Sequence, residues 1–303
     1  MKRILSLILT VCITVCFCSC SHDAATLHSG NFPDGIRYAD TETDFSVSAP
    51  QVFVFDMKTG EIIYTKGKES VLYPASTTKL LTALAAMSVL DLSEVVTPTD
   101  ELELLSENSS IAYVKKHHSL TVEMLIEGMM LPSGNDAAYA LAAAAGRRIA
   151  DDDTISGKEA TERFVKYMNE YAKELGMIGS SFTVPDGFAG KETYSTVEDM
   201  LILAKAAAEN EIIAKYAAMA EDSVVYASGH LNTWKNTNEL LDEESKYYSP
   251  YAVGLKTGTS ELGKSLIVRV SDGDRDYLIG IFSASTDSKR YDSALKIIDK
   301  LIY

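Results

Sequence analysis

Three short groups of residues carry side chains able to make and break an acyl bond. In "YPASTTKLL", Ser76 and Lys79 stand three apart at the start of an apolar run, so a helix there puts both on one face. A serine hydroxyl is a poor nucleophile until a base removes its proton, and an amine within reach can do so. An unperturbed lysine titrates near about 10.4 and is protonated at neutral pH. Lys79 as a base therefore requires a dry site that holds a second positive charge. In "LPSGNDAAYA", Ser133-Gly134-Asn135 lies between two apolar helical stretches. Its serine can relay a proton, and its asparagine offers a donor and an acceptor to a substrate amide. In "YAVGLKTGTS", Lys256, Thr257, Gly258 and Thr259 end a strand-like run. A cation and two hydroxyls can line a cleft there, and Gly258 is expected to let a substrate backbone approach closely.

Each group is a loose pattern, and each recurs elsewhere in the chain. Ser293 and Lys296 repeat Ser-x-x-Lys in the closing amphipathic stretch, and Ser106-Glu107-Asn108 repeats Ser-x-Asn in a long polar loop. Lys58-Thr59-Gly60 repeats Lys-Thr-Gly between two β-rich runs, where a bend favours glycine and polar residues for backbone reasons. Order together with local structure separates the copies: Lys58 precedes Ser76, and Ser106 lies in the polar loop rather than between two apolar helical stretches. Ser76, Ser133 and Lys256 give Ser-x-x-Lys, Ser-x-Asn and Lys-Thr-Gly in sequence, the signature shared by penicillin-binding proteins and class A β-lactamases.

Positioning these groups calls for a sizeable fold. The chain has 303 residues, 46% hydrophobic and 23% charged, a composition that excludes general disorder. A formal charge of −15 without a basic stripe argues against a nucleic-acid partner. "QVFVFDMKTGEIIYTKG" reads as a hairpin with the first Lys-Thr-Gly as its bend, and "STTKLLTALAAMSVL" as an apolar helix. A helical middle runs from about residue 121 to 220. Strand-like runs return at "SLIVRV" and "DYLIGIFSAS", and "SKRYDSALKIIDKLIY" closes the chain as a helix. Strands from both chain ends around a helical insertion imply one α+β unit.

The N-terminus has another character. Lys2 and Arg3 precede an apolar run from Ile4 to Phe17, then Cys18, Ser19 and Cys20. That is the build of a secretory signal, shorter than the roughly 20 residues of a membrane-spanning helix. All four cysteines lie in it, so the remainder has no disulfide framework and no cysteine nucleophile or metal site. Cys20 has two readings: the lipid acceptor of a bacterial lipoprotein, or a small residue near an ordinary cleavage point. The expected division is a signal peptide at 1–20, a polar linker at 21–47 and a catalytic domain at 48–303.

From Ser48 to Tyr303 the chain resembles the D-alanyl-D-alanine carboxypeptidases, low-molecular-mass penicillin-binding proteins. The likeness rests on "YPASTTKLLTAL", "LTVEMLIEGMMLPSGNDAAYALA", "YSTVEDMLILA", "WKNTNELL" and "VGLKTGTSELGKSLIV". It implies a β-lactamase/transpeptidase-like α+β fold, a five-stranded antiparallel sheet flanked by helices with a helical subdomain beside the cleft. It implies Ser76 as the acylated nucleophile, Lys79 as its base and Ser133 as the proton relay. Asn135 would orient the substrate peptide, and Lys256 would keep the site positive. Thr257, Gly258, Thr259 and Arg290 would surround the terminal carboxylate, with the N–H groups of Ser76 and Thr259 as oxyanion hole. The implied substrate is a peptidoglycan stem peptide ending in D-Ala-D-Ala, with β-lactams as covalent inhibitors and no cofactor or metal. The implied location is outside the cytoplasm, on the membrane face through a lipid on Cys20. A class A β-lactamase would add Glu-x-x-Leu-Asn after the second motif. The sequence has none, and Gly134 stands where such enzymes carry aspartate. A non-catalytic penicillin sensor is the other rival. His117 and His118 of "KKHHS" are expected in a surface loop.

Overall fold

The computed structural model describes residues 32–33, 35–41 and 43–303. The chain begins with β1 (Arg37–Tyr38), then the hairpin β2 (Gln51–Asp56) and β3 (Glu61–Lys66), then α1 (Lys79–Met87). Two short pairing segments follow, β4 (Val95–Val96) and β5 (Leu120–Thr121). The helices α2 (Val122–Met130), α3 (Asn135–Ala150), α4 (Gly157–Glu174), α5 (Val197–Glu209) and α6 (Glu211–Ala217) make the middle. The hairpin β6 (Glu221–Val225) and β7 (Leu231–Lys235) leads to β8 (Ala252–Ser260), β9 (Gly263–Ser271), β10 (Asp276–Ala284) and α7 (Asp287–Ile302).

The main sheet runs β1-β3-β2-β10-β9-β8, so strands from both chain ends meet where β2 pairs with β10. Five of the strands are antiparallel to their neighbours, as the resemblance implied. The sixth, two-residue β1, joins β3 in parallel. "QVFVFD" is almost wholly buried because both faces of the sheet are covered. Phe53 and Phe55 face the helical side with Leu80, Leu84 and Leu201, while Val52 and Val54 face α7. That division follows the period of two along a strand. The α7 stripe Tyr291, Ala294, Ile298 and Ile302 has the spacing of one helix face, and Thr286 caps its start by accepting from the Lys289 amide.

Two features differ from the sequence reading. The segment read as linker up to residue 47 packs in part: Tyr38 lies in β1, and Phe45 and Val47 are buried against the α7 side of the sheet. A two-residue strand and isolated apolar residues in a polar stretch carry too little periodicity to be seen. In the His pair, His117 is exposed as expected, but His118 is buried. Its ring stacks on His230 with centroids 4.5 Å apart, and its Nδ1 accepts from the Lys115 amide at 3.2 Å. Among the described residues no helix is long and apolar enough to cross a membrane. Cys20 and the signal segment lie outside the described residues.

Candidate active site

Ser76 sits on a single 3-10 turn, Ala75–Thr78, that runs directly into α1. Ala75 has a positive φ of 51°, and the Thr77 hydroxyl donates to the Pro74 carbonyl at 2.7 Å, fixing the turn. β8 presses against it. A side chain at Gly258 would bring a Cβ to 2.7 Å from the Pro74 carbonyl. The glycine of the third motif thus serves a close approach, but by the turn that carries Ser76 rather than by a substrate backbone.

Lys79 is fully buried one helical turn below Ser76. Its Nζ donates to Ser76 Oγ at 2.9 Å, Asn135 Oδ1 at 2.8 Å and the Asp186 carbonyl at 3.0 Å. All three acceptors are neutral. Burial lowers its pKa from 10.5 to about 8, against the opposing pull of the Asp186 and Asp136 carboxylates. A neutral amine keeps two N–H bonds and gains a lone pair. Asn135 and Asp186 can hold the two N–H bonds while the lone pair receives the Ser76 proton. The same cage therefore suits both protonation states.

Lys256 is buried in β8, and its Nζ donates to the Thr257 carbonyl at 3.2 Å. Burial first, then the charges of Lys79 and Arg290, hold its ammonium well below the ordinary range. The second cation that the sequence demanded is present, although the lowering at Lys79 comes from its burial.

Ser133 occupies the turn between α2 and α3 with a φ of 60°, the left-handed region that costs a residue with a side chain about 1–3 kcal/mol. The turn is tied down from several directions. The Asn135 amide donates to the Ser110 carbonyl, and Asp136 accepts from the amides of Ala112 and Val114 at 2.8 Å each. The Ala112 carbonyl accepts from Trp234 Nε1 at 2.9 Å and Asn232 Nδ2 at 2.8 Å. The polar loop at residues 106–114, the second motif and the β6–β7 hairpin form one bonded unit.

Arg290 is buried at the start of α7, unlike a solvated helix-end arginine. Its Nη1 donates to the carbonyls of Gly258 (3.2 Å) and Ser265 (3.1 Å), and its Nη2 pairs with Asp287 at 2.7 Å. It stitches β8 to β9 and leaves a positive charge behind the threonine hydroxyls. Ser76, Ser133, Asn135, Thr257, Thr259 and Arg290 all line one cleft of about 700 Å³. Lys79 and Lys256 lie beneath it.

The duplicate motifs are elsewhere, with one exception. Ser293 Oγ bonds back to Lys289 in its own helix, and Lys296 reaches the Ser46 carbonyl. Lys58 is exposed and donates to the carbonyls of Gly273 and Asp274. Ser106 is also exposed, yet Asn108, Ser109 and Ser110 of the same loop line the cleft. The sequence reading missed that wall, and it missed Thr237, whose hydroxyl lies 2.6 Å from Thr257 Oγ1. Thr237 belongs to "WKNTNELL", a stretch with no chemical spacing of its own. Among the described residues no group of three or more His, Cys, Asp or Glu side chains could hold a metal.

A serine bonded to a buried amine, beside a hydroxyl-lined pocket backed by cations, is equipped for acyl transfer from a substrate that ends in a carboxylate. The fold and site together define a serine acyl-transfer protein built on an antiparallel sheet with a helical subdomain. The family model described as D-alanyl-D-alanine carboxypeptidase matches residues 38–286, and the chain belongs to that family. It is 31% identical over 262 residues to D-alanyl-D-alanine carboxypeptidase DacF of Bacillus subtilis, covering 85% of this chain and 63% of that protein. It thus spans less than two thirds of that relative's length. It is also 31% identical over 278 residues to the D-alanyl-D-alanine carboxypeptidase of Streptomyces sp. (strain K15), covering 88% of this chain and 91% of that protein. The crystal structure of the Streptomyces DD-transpeptidase superposes with a TM-score of 0.74 at 28% identity, covering 86% of this chain and 98% of the other.

Proposed function

We propose that the protein is a serine-type D-Ala-D-Ala carboxypeptidase acting on peptidoglycan stem pentapeptides outside the cytoplasm. The observation that carries the reading is the buried Lys79 cage, which joins Ser76 to an amine of lowered pKa that bonds no carboxylate. Neutral Lys79 takes the Ser76 proton as Oγ attacks the carbonyl between the two terminal D-alanines. The oxyanion forms at the N–H groups of Ser76 and Thr259. Ser133 passes a proton to the departing amine, D-alanine leaves, and water hydrolyses the ester on Ser76. Asn135 holds the peptide amide, while Thr257, Thr259, Lys256 and Arg290 receive the terminal carboxylate.

A β-lactam enters the same steps, but its leaving group stays tethered by the opened ring and occupies the approach of water. With no Glu-x-x-Leu-Asn segment to activate water from another side, the penicilloyl ester on Ser76 persists. A lipid on Cys20 holds the enzyme at the membrane face, and its cleaved, acylated N-terminus is readable by mass spectrometry. The deciding experiment incubates purified protein with a defined pentapeptide and weighs the products. Release of one D-alanine per peptide with turnover, lost in Ser76→Ala, is expected. Penicillin labelling of Ser76 with no D-alanine release would leave a binding protein without this activity. Rapid Ser76-dependent turnover of nitrocefin would make it a β-lactamase.

A further inference from the structure

A second groove of about 330 Å³ lies beside the cleft. The two share Phe188, Ser260 and Glu261, so the groove adjoins the cleft across these residues. Tyr73, Phe188 and Leu262 supply apolar wall, and Phe188 is 45% exposed. Glu261 and Lys191 stand at this groove, both exposed, and neither makes a hydrogen bond or ion pair among the described residues. The other charges around the cleft are engaged. Asp287 pairs with Arg290 at 2.7 Å and lies 3.9 Å from Lys264, and Glu239 accepts from Ser245.

Topology says what reaches the groove. β8 is the outermost strand of the main sheet and pairs there only with β9. An extended peptide can add antiparallel to such an edge. With its terminal carboxylate at Thr257 and Thr259, its upstream residues pass Ser260 and arrive at Glu261. The geometry points to this groove as the binding site for the side chain of the residue just before D-Ala-D-Ala, an aliphatic chain ending in both an ammonium and a carboxylate. Glu261 takes the ammonium, Lys191 takes the carboxylate, and the apolar wall covers the methylenes. The inference rests on the peptide reading given under Proposed function and adds the substrate class: a stem carrying a diamino dicarboxylic acid at that position rather than lysine.

Three pentapeptides test it, identical except for diaminopimelate, lysine or alanine before D-Ala-D-Ala. Each is scored for D-alanine release and, separately, as a competitor of fluorescent-penicillin acylation, which reads occupancy without turnover. The wild type should prefer diaminopimelate over lysine by about tenfold, and lysine over alanine by a similar factor, as a charge-assisted bond predicts. Lys191→Gln should erase the first preference and keep the second. Glu261→Gln should bring lysine and alanine within about threefold. Equal competition by the three peptides against wild type, or variants that leave the ratios unchanged, would overturn the assignment. If no peptide releases D-alanine but the competition ranking holds, the groove stands and the carboxypeptidase reading falls.

Discussion

Lys58-Thr59-Gly60 and Lys256-Thr257-Gly258 are the same three residues put to opposite uses. Gly60 closes a hairpin bend at a φ of 73°, a backbone shape that only glycine adopts freely. Gly258 lies in a regular strand and is small because Pro74 leaves no room for a Cβ. Lys58 is in water and bonds loop carbonyls, whereas Lys256 is buried beside Lys79 and Arg290 and is pushed well below its usual pKa. The chemistry of a lysine here is set by what covers it and what charges face it. The tripeptide itself specifies neither.

The strongest way to break that contrast is to extend it to the two serines that open Ser-x-x-Lys. Ser76→Ala should abolish covalent labelling by a fluorescent penicillin, because no other described serine bonds a buried lysine. Ser293→Ala should label in full, since its hydroxyl is spent on Lys289 within α7. Stoichiometric labelling of Ser76→Ala would end the nucleophile assignment.

The lysines come next. Lys256→Ala should slow penicillin acylation on the order of a hundredfold or more, the usual consequence of losing a preorganised charge at a reacting centre. Lys58→Ala should change it by less than about threefold, because an exposed cation contributes little. Equal effects from the two substitutions would mean that burial does not separate the copies.

A pH profile sharpens the comparison within the site. Lys79 must be unprotonated to act as base, and its pKa is lowered from 10.5 to about 8. At pH 7 the competent fraction is then about a tenth, against roughly one part in three thousand for an unperturbed lysine. The acylation rate should climb about tenfold per unit below pH 8 and level off above it. A flat profile between pH 6 and 9 would remove Lys79 from that role.

The strands, the helical middle and the catalytic cluster were legible because each is written locally: alternation in "QVFVFD", helical spacing around Leu80 and Leu84, and three ordered motifs. What was not legible depends on pairing across long separations. β1 is two residues long and exists through β3, and Phe45 is buried only because α7 folds over it. His118 looked like surface because its cover, His230, is supplied by the distant β6–β7 hairpin. Thr237 becomes part of the site only when β8 brings Thr257 beside it.

The Ser-x-Asn at Ser106 is the copy that was only half read. Ser106 is exposed and Asn108 lines the cleft, because the loop that carries both is pulled against the Ser133 turn. Asp136 holds the amides of Ala112 and Val114, and Ser110 accepts from the Asn135 amide. The decoy loop is thus a wall of the site it was contrasted with. Asn108→Ala should raise the KM for a pentapeptide by about two- to fivefold with kcat little changed, the signature of one lost ground-state contact. Ser106→Ala should leave both constants within about twofold, as an exposed surface change does. A fall in kcat for Asn108→Ala equal to the fall in kcat/KM would mean that the loop acts in the transition state. The boundary between motif and decoy would then have been drawn in the wrong place.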